Sequence, residues 1–169
     1  MRKFIKKIII FSAFIFFFLT ILLIKYGGFV DFFYEKFTTP KQFSFILGDS
    51  RSFQGIQPKV LDSCFENTKF KHPAYNYSFT IAQVAYGPSY LKAIKRKLDT
   101  SARNQLFLIT VNPWVLANRE PDLAIETDKL FENSPPHNMY FMNMNPNFEY
   151  VVKNFDYFHF RTVFRQNSK

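Results

Sequence analysis

Cysteine is almost absent from this chain of 169 residues, since Cys64 is the only one. A single cysteine excludes an internal disulfide and a zinc site built from several cysteines. It leaves the compartment open, because a protein outside the cytoplasm does not require disulfides. The length suits a single domain, and we expect neither a metal nor an organic cofactor.

Acidic residues are missing from the first 24 positions, which instead begin with four basic residues: Arg2, Lys3, Lys6 and Lys7. The following stretch, Ile8–Ile24, contains no charge, glycine or proline. Together with its apolar flanks it reaches the roughly 20 residues that cross a bilayer. Only a helix satisfies its own backbone groups in lipid, so we predict a transmembrane helix within residues 1–26. Its basic flank favours a cytoplasmic N-terminus.

A cleaved signal peptide is the alternative interpretation of this segment. Such peptides have shorter apolar regions that end in small residues, whereas Ile24 is followed by Lys25 and Tyr26. No cysteine follows at once either, so a lipoprotein anchor is excluded. We therefore expect an uncleaved signal anchor, with the rest of the chain outside the cytoplasm.

Residues 27–40 form an aromatic linker after the anchor. Its aromatic side chains are Phe29, Phe32, Phe33, Tyr34 and Phe37. Aromatic rings favour the headgroup level of a membrane, so these residues are candidates for a collar at the membrane surface. They are equally candidates for packing against the domain that follows, which we place at residues 41–169.

An alternation of strands and helices characterises that domain. The candidate strands are Phe43–Leu47, Ala74–Phe79 and Gln105–Val111, and the candidate helices between them are Pro58–Phe65 and an apolar stripe over 81–98 that Gly87-Pro88 interrupts. This order predicts an α/β fold with a parallel sheet. The first and third strands are continuous apolar runs, typical of strands that are buried on both faces.

The pattern weakens after the third strand. We expect a short helix over 122–131, an irregular segment over 138–147 and an aromatic helix over 148–165. The formal net charge is +9, and a basic cluster lies at 92–97. Because no aromatic residues alternate with these charges, we interpret the cluster as a solvated helix face and expect no nucleic-acid partner.

The tripeptide Gly48-Asp49-Ser50 directly follows the first strand candidate. Open α/β sheets bind ligands outside the carboxyl ends of their strands, so a serine at this position is a candidate nucleophile. The alternative is that Asp49 and Ser50 only cap the next helix. The tripeptide resembles the first sequence block of the SGNH (GDSL-type) hydrolases. That resemblance implies that Ser50 is the nucleophile and that its backbone N–H contributes to the oxyanion hole.

The wider stretch, residues 47–58, resembles membrane-anchored SGNH-type proteins of bacteria that accompany membrane-bound O-acyltransferases. The D-alanine transfer proteins of cell-wall polymer modification are one example. This resemblance implies a single-pass protein of the bacterial plasma membrane, with a partial three-layer α/β/α domain outside the cytoplasm. It also implies an envelope glycan or lipid as substrate and a membrane-bound O-acyltransferase as a partner.

Further residues of this family's site have candidates in the chain. Asn112 follows the third strand, where the family has an oxyanion donor, although a turn-forming role explains it as well. Asp156 and His159 match the spacing of the family's Asp-x-x-His pair, which supplies acid and base. In the family that pair follows a fifth strand, whereas only three strand candidates precede it here. We therefore expect either the N-terminal part of a longer protein or a truncated, non-catalytic relative.

Two functions remain open from the sequence. One is a serine esterase or O-acyltransferase, for which Ser50 requires a base within hydrogen-bond reach. The other is a non-catalytic membrane protein that docks on an envelope acyltransferase or another integral membrane partner. The presence or absence of a histidine near Ser50 distinguishes the two. A third interpretation, a purely structural anchor joined to an unrelated α/β module, would gain support if residues 43–50 did not form a strand.

Overall fold

A computed structural model describes residues 1–31, 33–80, 86–113, 129, 132, 136 and 138–154. These residues group into two units. The first contains residues 1–39 and 144–154, and the second contains the described residues between 40 and 143. The helices of the first unit are α1 (Arg2–Val30), α2 (Tyr34–Thr38) and α6 (Phe148–Lys153). The elements of the second unit are β1 (Ser44–Leu47), α3 (Ser50–Gly55), α4 (Pro58–Phe65), β2 (Ala74–Asn76), α5 (Pro88–Lys97) and β3 (Phe107–Ile109).

Helix α1 contains the apolar segment. Its residues Arg2–Gly28 form a helix that is long and apolar enough to cross a membrane. The whole helix is about 43 Å long at 1.5 Å per residue, which exceeds a hydrocarbon core of about 30 Å. Most of its large apolar side chains between Phe4 and Tyr26 are exposed.

Part of the aromatic linker packs inside the first unit. Tyr34 and Phe37 are buried, and their rings lie 5.5 and 4.9 Å from the ring of Tyr150 in α6. Asn147 caps α6 by accepting a hydrogen bond from the Tyr150 N–H, and its Nδ2 donates to the carbonyl of Phe37. Tyr34 and Phe37 therefore pack on α6, which lies within the range 41–169 that we expected to form the following domain but belongs to the same unit as the linker. Phe32 lies outside the described residues.

The second unit is built on a parallel sheet of three strands in the order β2-β1-β3. The predicted parallel α/β arrangement is thus confirmed, with shorter strands than expected at β2 and β3. The middle strand β1 is buried along its whole length. Phe45 stands at its centre and makes ring contacts with Tyr75, Tyr77 and Phe107.

Two burial expectations for this unit are wrong in part. Phe107 and Ile109 of β3 are exposed to 42 % and 55 %, because they share one face of the strand and no described segment covers that face. In the basic cluster of α5, Lys92 and Lys95 are exposed as expected, whereas Lys97 is fully buried. Its Nζ donates to the carbonyl of Met142 at 2.8 Å and lies 5.8 Å from the ring centre of Tyr75. An apolar pattern does not reveal which face a neighbouring segment covers.

His72 links the end of α4 to the start of β2. Its Nδ1 lies 3.0 Å from the Asp62 carboxylate, and its Nε2 lies 3.1 Å from the carbonyl of Phe65. Both partners are acceptors, so the arrangement favours the imidazolium, which donates from both nitrogens. The hydrogen bond to Asp62 raises the pKa of His72 above its usual value.

We predict that the stability which His72 contributes to the folded state decreases as pH rises. A raised pKa in the folded state contributes stability that is fully present below the ordinary imidazole pKa of about 6.5 and is lost as pH rises through the folded pKa. Thermal unfolding of the full chain in detergent, followed from pH 5.5 to 8.5, measures this. The difference in Tm between the wild type and His72→Gln should shrink as pH rises. A difference that is independent of pH would contradict the prediction.

Candidate active site

The carboxyl ends of all three strands meet at one edge of the sheet, because the strands are parallel. Leu47 ends β1 and leads into Gly48, and Thr110 of the chain after β3 donates its N–H to the Leu47 carbonyl at 2.9 Å. On the other side, Phe79 donates its N–H to the Gly48 carbonyl at 3.1 Å. The turn at residues 48–50 is therefore held between the segments that follow β2 and β3.

Gly48 permits the tight path of this turn. Its φ is +151°, in a region that favours glycine. A Cβ at this position would be in hard contact with Thr110 Oγ1 and Ser52 Oγ. The turn thus needs a residue without a side chain, both for its conformation and for its neighbours.

Asp49 is the N-cap of α3 and is only 3 % exposed. Its Oδ1 accepts the Arg51 N–H at 3.0 Å, and its Oδ2 accepts a hydrogen bond from Asn112 Nδ2 at 3.0 Å. The capping interpretation is therefore confirmed for Asp49. It does not account for Ser50, which is the first residue of the helix and not its cap.

Ser50 is half-buried at the start of α3. Within the described part of the chain, its hydroxyl and its backbone N–H have no hydrogen-bond partner. The neighbouring serine differs: Ser52 is buried, its hydroxyl donates to the Asp49 carbonyl at 2.9 Å, and the Ser78 hydroxyl lies 2.9 Å away. Ser52 is thus a structural residue, and Ser50 is the serine with an unengaged hydroxyl.

Helix α3 is also fixed at its far end. Asn76, the last residue of β2, directs Nδ2 at the carbonyls of Ser52 and Ile56, both at 3.1 Å. Its Oδ1 accepts the Ser78 N–H at 3.1 Å. These contacts bind the six-residue helix to the sheet and so fix the position from which Ser50 projects.

The residues proposed from the sequence are only partly brought together. Ser50 and Asn112 lie at the same sheet edge, joined through Asp49. Asp156 and His159 lie outside the described residues. Of the histidines, the structure describes His72, which precedes β2 and therefore lies at the opposite edge of the sheet from Ser50. Both of its ring nitrogens are engaged there, so it is not the base for Ser50.

Two tyrosines that bond the segments after β3 and β2 were missed by the sequence analysis. Tyr86 donates a hydrogen bond to the carbonyl of Thr110, and Tyr90 donates to the carbonyl of Tyr77 at 2.6 Å. The sequence hints at them only through their spacing. They stand four residues apart on either side of Gly87-Pro88, and proline favours the first turn of a helix. Among the described residues, no group of three acidic, histidine or cysteine side chains is suited to a metal ion.

Comparison with known proteins gives no match to a family model, to a curated protein or to a solved structure.

We predict that Gly48→Ala destabilises the protein while Gly55→Ala does not. The added methyl group at position 48 costs about 1–3 kcal/mol through crowding, in addition to the strained φ. Gly55, in the same segment, has no atom within 4 Å of an added Cβ. Chemical denaturation of the full chain in detergent measures both. Equal stability of the two variants would contradict the described geometry of the turn.

Proposed function

We propose that this chain is a membrane-anchored, SGNH-like serine esterase or O-acyltransferase that acts on acyl esters of a bacterial cell envelope. The observation that supports it most is Ser50. It stands in a strand–turn–helix at the carboxyl end of the central strand, and its hydroxyl is half-buried and unengaged. The capping of α3 explains the presence of Asp49. It does not explain why Ser50 stands next to it with a hydroxyl that has no described partner.

The order of the strands also supports the proposal. In doubly wound sheets with the order 2-1-3, ligands bind at the carboxyl ends of β1 and β3, where the direction of winding reverses. Ser50 follows β1 and Asn112 follows β3, so the two residues border this position. A substrate bound there would be within reach of the Ser50 hydroxyl.

The proposed reaction is acyl transfer through Ser50. The Ser50 oxygen bonds to the ester carbonyl carbon while a base takes the hydroxyl proton. The tetrahedral intermediate then collapses, the bond to the leaving alcohol breaks, and the alcohol departs with that proton. Water or a sugar hydroxyl next attacks the acyl-serine, which yields hydrolysis or transfer of the acyl group.

Two groups are proposed to stabilise the negative charge of the intermediate. The Ser50 N–H is the better supported donor, because no described group accepts its hydrogen bond. Asn112 is the second proposed donor, and its Nδ2 also donates to Asp49. We assign the acid and base to Asp156 and His159, by their spacing.

The membrane anchor fits substrates that are themselves held at a membrane. Helix α1 would span the bacterial plasma membrane with its basic end in the cytoplasm. Tethering raises the effective concentration of the catalytic domain near a membrane-bound donor or polymer. A membrane-bound O-acyltransferase is the proposed partner, and an envelope glycan or lipid is the proposed acceptor.

We predict that a fluorophosphonate probe labels Ser50 in the full chain in detergent. The probe reacts with activated serines, so Ser50→Ala should abolish the labelling. Ser63→Ala is the matched control, since Ser63 is exposed on α4 and its hydroxyl donates to a carbonyl of the same helix. Mass spectrometry of the labelled peptide identifies the site. Labelling that survives Ser50→Ala, or no labelling of the folded wild type, would refute the esterase proposal.

We further predict that His159→Gln slows this labelling by about 10²–10⁴-fold, the usual contribution of a general base. His72→Gln is the control, because His72 lies at the opposite sheet edge. The measurement is the labelling rate of each variant at neutral pH. If the two variants label equally fast, His159 is not the base.

One observation favours the second candidate function, a docking protein without catalytic activity. Phe107, Ile109 and Val111 expose apolar side chains in alternation along β3 and beyond it. Strands of parallel sheets are ordinarily covered on both faces, and an exposed apolar patch indicates an interaction surface. A folded chain without reactive Ser50 would favour this function.

A further inference from the structure

Helix α6 contacts α1 at the middle of its apolar stretch. The ring centres of Phe148 and Phe16 are 5.4 Å apart, and the two rings are stacked. Phe16 is the central residue of Ile8–Ile24, eight residues from each end. At 1.5 Å per residue, it stands about 12 Å from either end of that stretch. When α1 spans a bilayer with a hydrocarbon core of about 30 Å, a side chain that touches Phe16 therefore lies at the depth of that core.

The same small unit also contacts the C-terminal end of α1. Gly27 lies beyond the apolar stretch and leaves room for the ring of Tyr34, which a Cβ at this position would meet. The Tyr150 hydroxyl of α6 donates to the carboxylate of Asp31, directly after α1. Tyr150 and Phe148 thus reach two levels of α1, one at its end and one at its centre. Tyrosine is common at the headgroup level, so this order matches a segment that enters the bilayer from its surface.

The face of α6 that carries Phe148 is apolar. Val152 stands four residues after Phe148, so the two side chains share one face of the helix. Phe148 is exposed to 37 % and Val152 to 76 %, and no described residue covers them further. Tyr150, by contrast, is buried against the rings of α2. Helix α6 therefore has one face packed on the protein and one apolar face open beside α1.

Polar groups at both ends of α6 have partners within the protein, as a lipid environment requires. At its start, Asn147 accepts the Tyr150 N–H at 2.9 Å. At its end, the backbone N–H and the Nδ2 of Asn154 both donate to the Tyr150 carbonyl at 2.9 Å. The two charged residues of the helix, Glu149 and Lys153, form an ion pair at 2.7 Å. Pairing of opposite charges offsets part of the cost of removing them from water.

We infer that the face of α6 formed by Phe148 and Val152 is immersed in lipid, among the acyl chains of the leaflet on the C-terminal side of α1. Phe16 marks this depth only if α1 spans a membrane, so the inference rests on the proposed anchor. It goes beyond that anchor because a second segment, which does not span, enters the same leaflet. The first unit is then held at the bilayer by two elements that are more than one hundred residues apart in the chain.

Fluorescence quenching of the full chain in vesicles of phosphatidylcholine and phosphatidylglycerol tests this inference. In a Cys64→Ser background, Val152→Cys and Phe17→Cys each introduce one site for a thiol-reactive dye. Both native side chains are exposed, so these changes leave the core packing intact. The wild type, labelled at its exposed Cys64 on α4, where the exposed neighbours are mostly polar, is the reference. The quenchers are a lipid nitroxide in the acyl chain and iodide in the water.

We expect the lipid nitroxide to quench the dye at position 152 about threefold more strongly than the dye at Cys64, and iodide to quench it correspondingly less, because an immersed apolar face lies several ångströms below the headgroups. The dye at position 17 should show the same pattern.

Two results would overturn the inference, and they are distinguishable. If the dye at position 152 behaves as the dye at Cys64 while the dye at position 17 is quenched by lipid, α1 spans but α6 is not immersed. The apolar face of α6 would then be open to a protein partner. If iodide quenches the dye at position 17 as strongly as the dye at Cys64, both the proposed anchor and the inference are refuted. Neither result bears on the reactivity of Ser50, which the fluorophosphonate probe measures separately.

Discussion

The buried carboxylate of Asp49 is the group on which the arrangement of the candidate site depends. A buried charge is costly unless hydrogen bonds compensate it. Here the compensation comes from the Arg51 N–H in α3 and from the Asn112 amide after β3. One side chain thus connects the end of the central strand, the first turn of the helix and the end of a neighbouring strand. Ser50 directly follows Asp49 in the chain, so these hydrogen bonds also fix the position of its backbone.

The parts of the fold that depend on local chemistry were predictable from the sequence. Strand β1 and its polar end follow from an apolar run that stops at Gly48, and α4 begins at Pro58, as proline favours the first turn. Contacts between distant segments were not predictable. The Tyr86 hydroxyl donates to a carbonyl at position 110, and the burial of Lys97 depends on a carbonyl at position 142. No periodicity within a segment encodes such partners.

In the candidate site, hydrogen bonds fix the position of Ser50. Its base, His159, is proposed from the sequence alone. A neutral hydroxyl is a weak nucleophile, so its geometry alone does not make it reactive. What the described residues provide is the preorganised part of such a site: a fixed turn, an unengaged hydroxyl and a backbone N–H beside it. The same sheet presents an apolar face on β3, which suits a partner. The proposed catalysis, in association with the proposed membrane partner, would account for both features.

The coupling free energy between Asp49 and Asn112 tests this account most directly. It isolates the hydrogen bond that joins the cap of α3 to the segment after β3. A double-mutant cycle with Asp49→Ala, Asn112→Ala and the double variant, followed by denaturation of the full chain in detergent, gives that coupling. The account predicts that the double variant loses less stability than the sum of the single variants, by about 0.5–3 kcal/mol. Strict additivity of the two losses would contradict it.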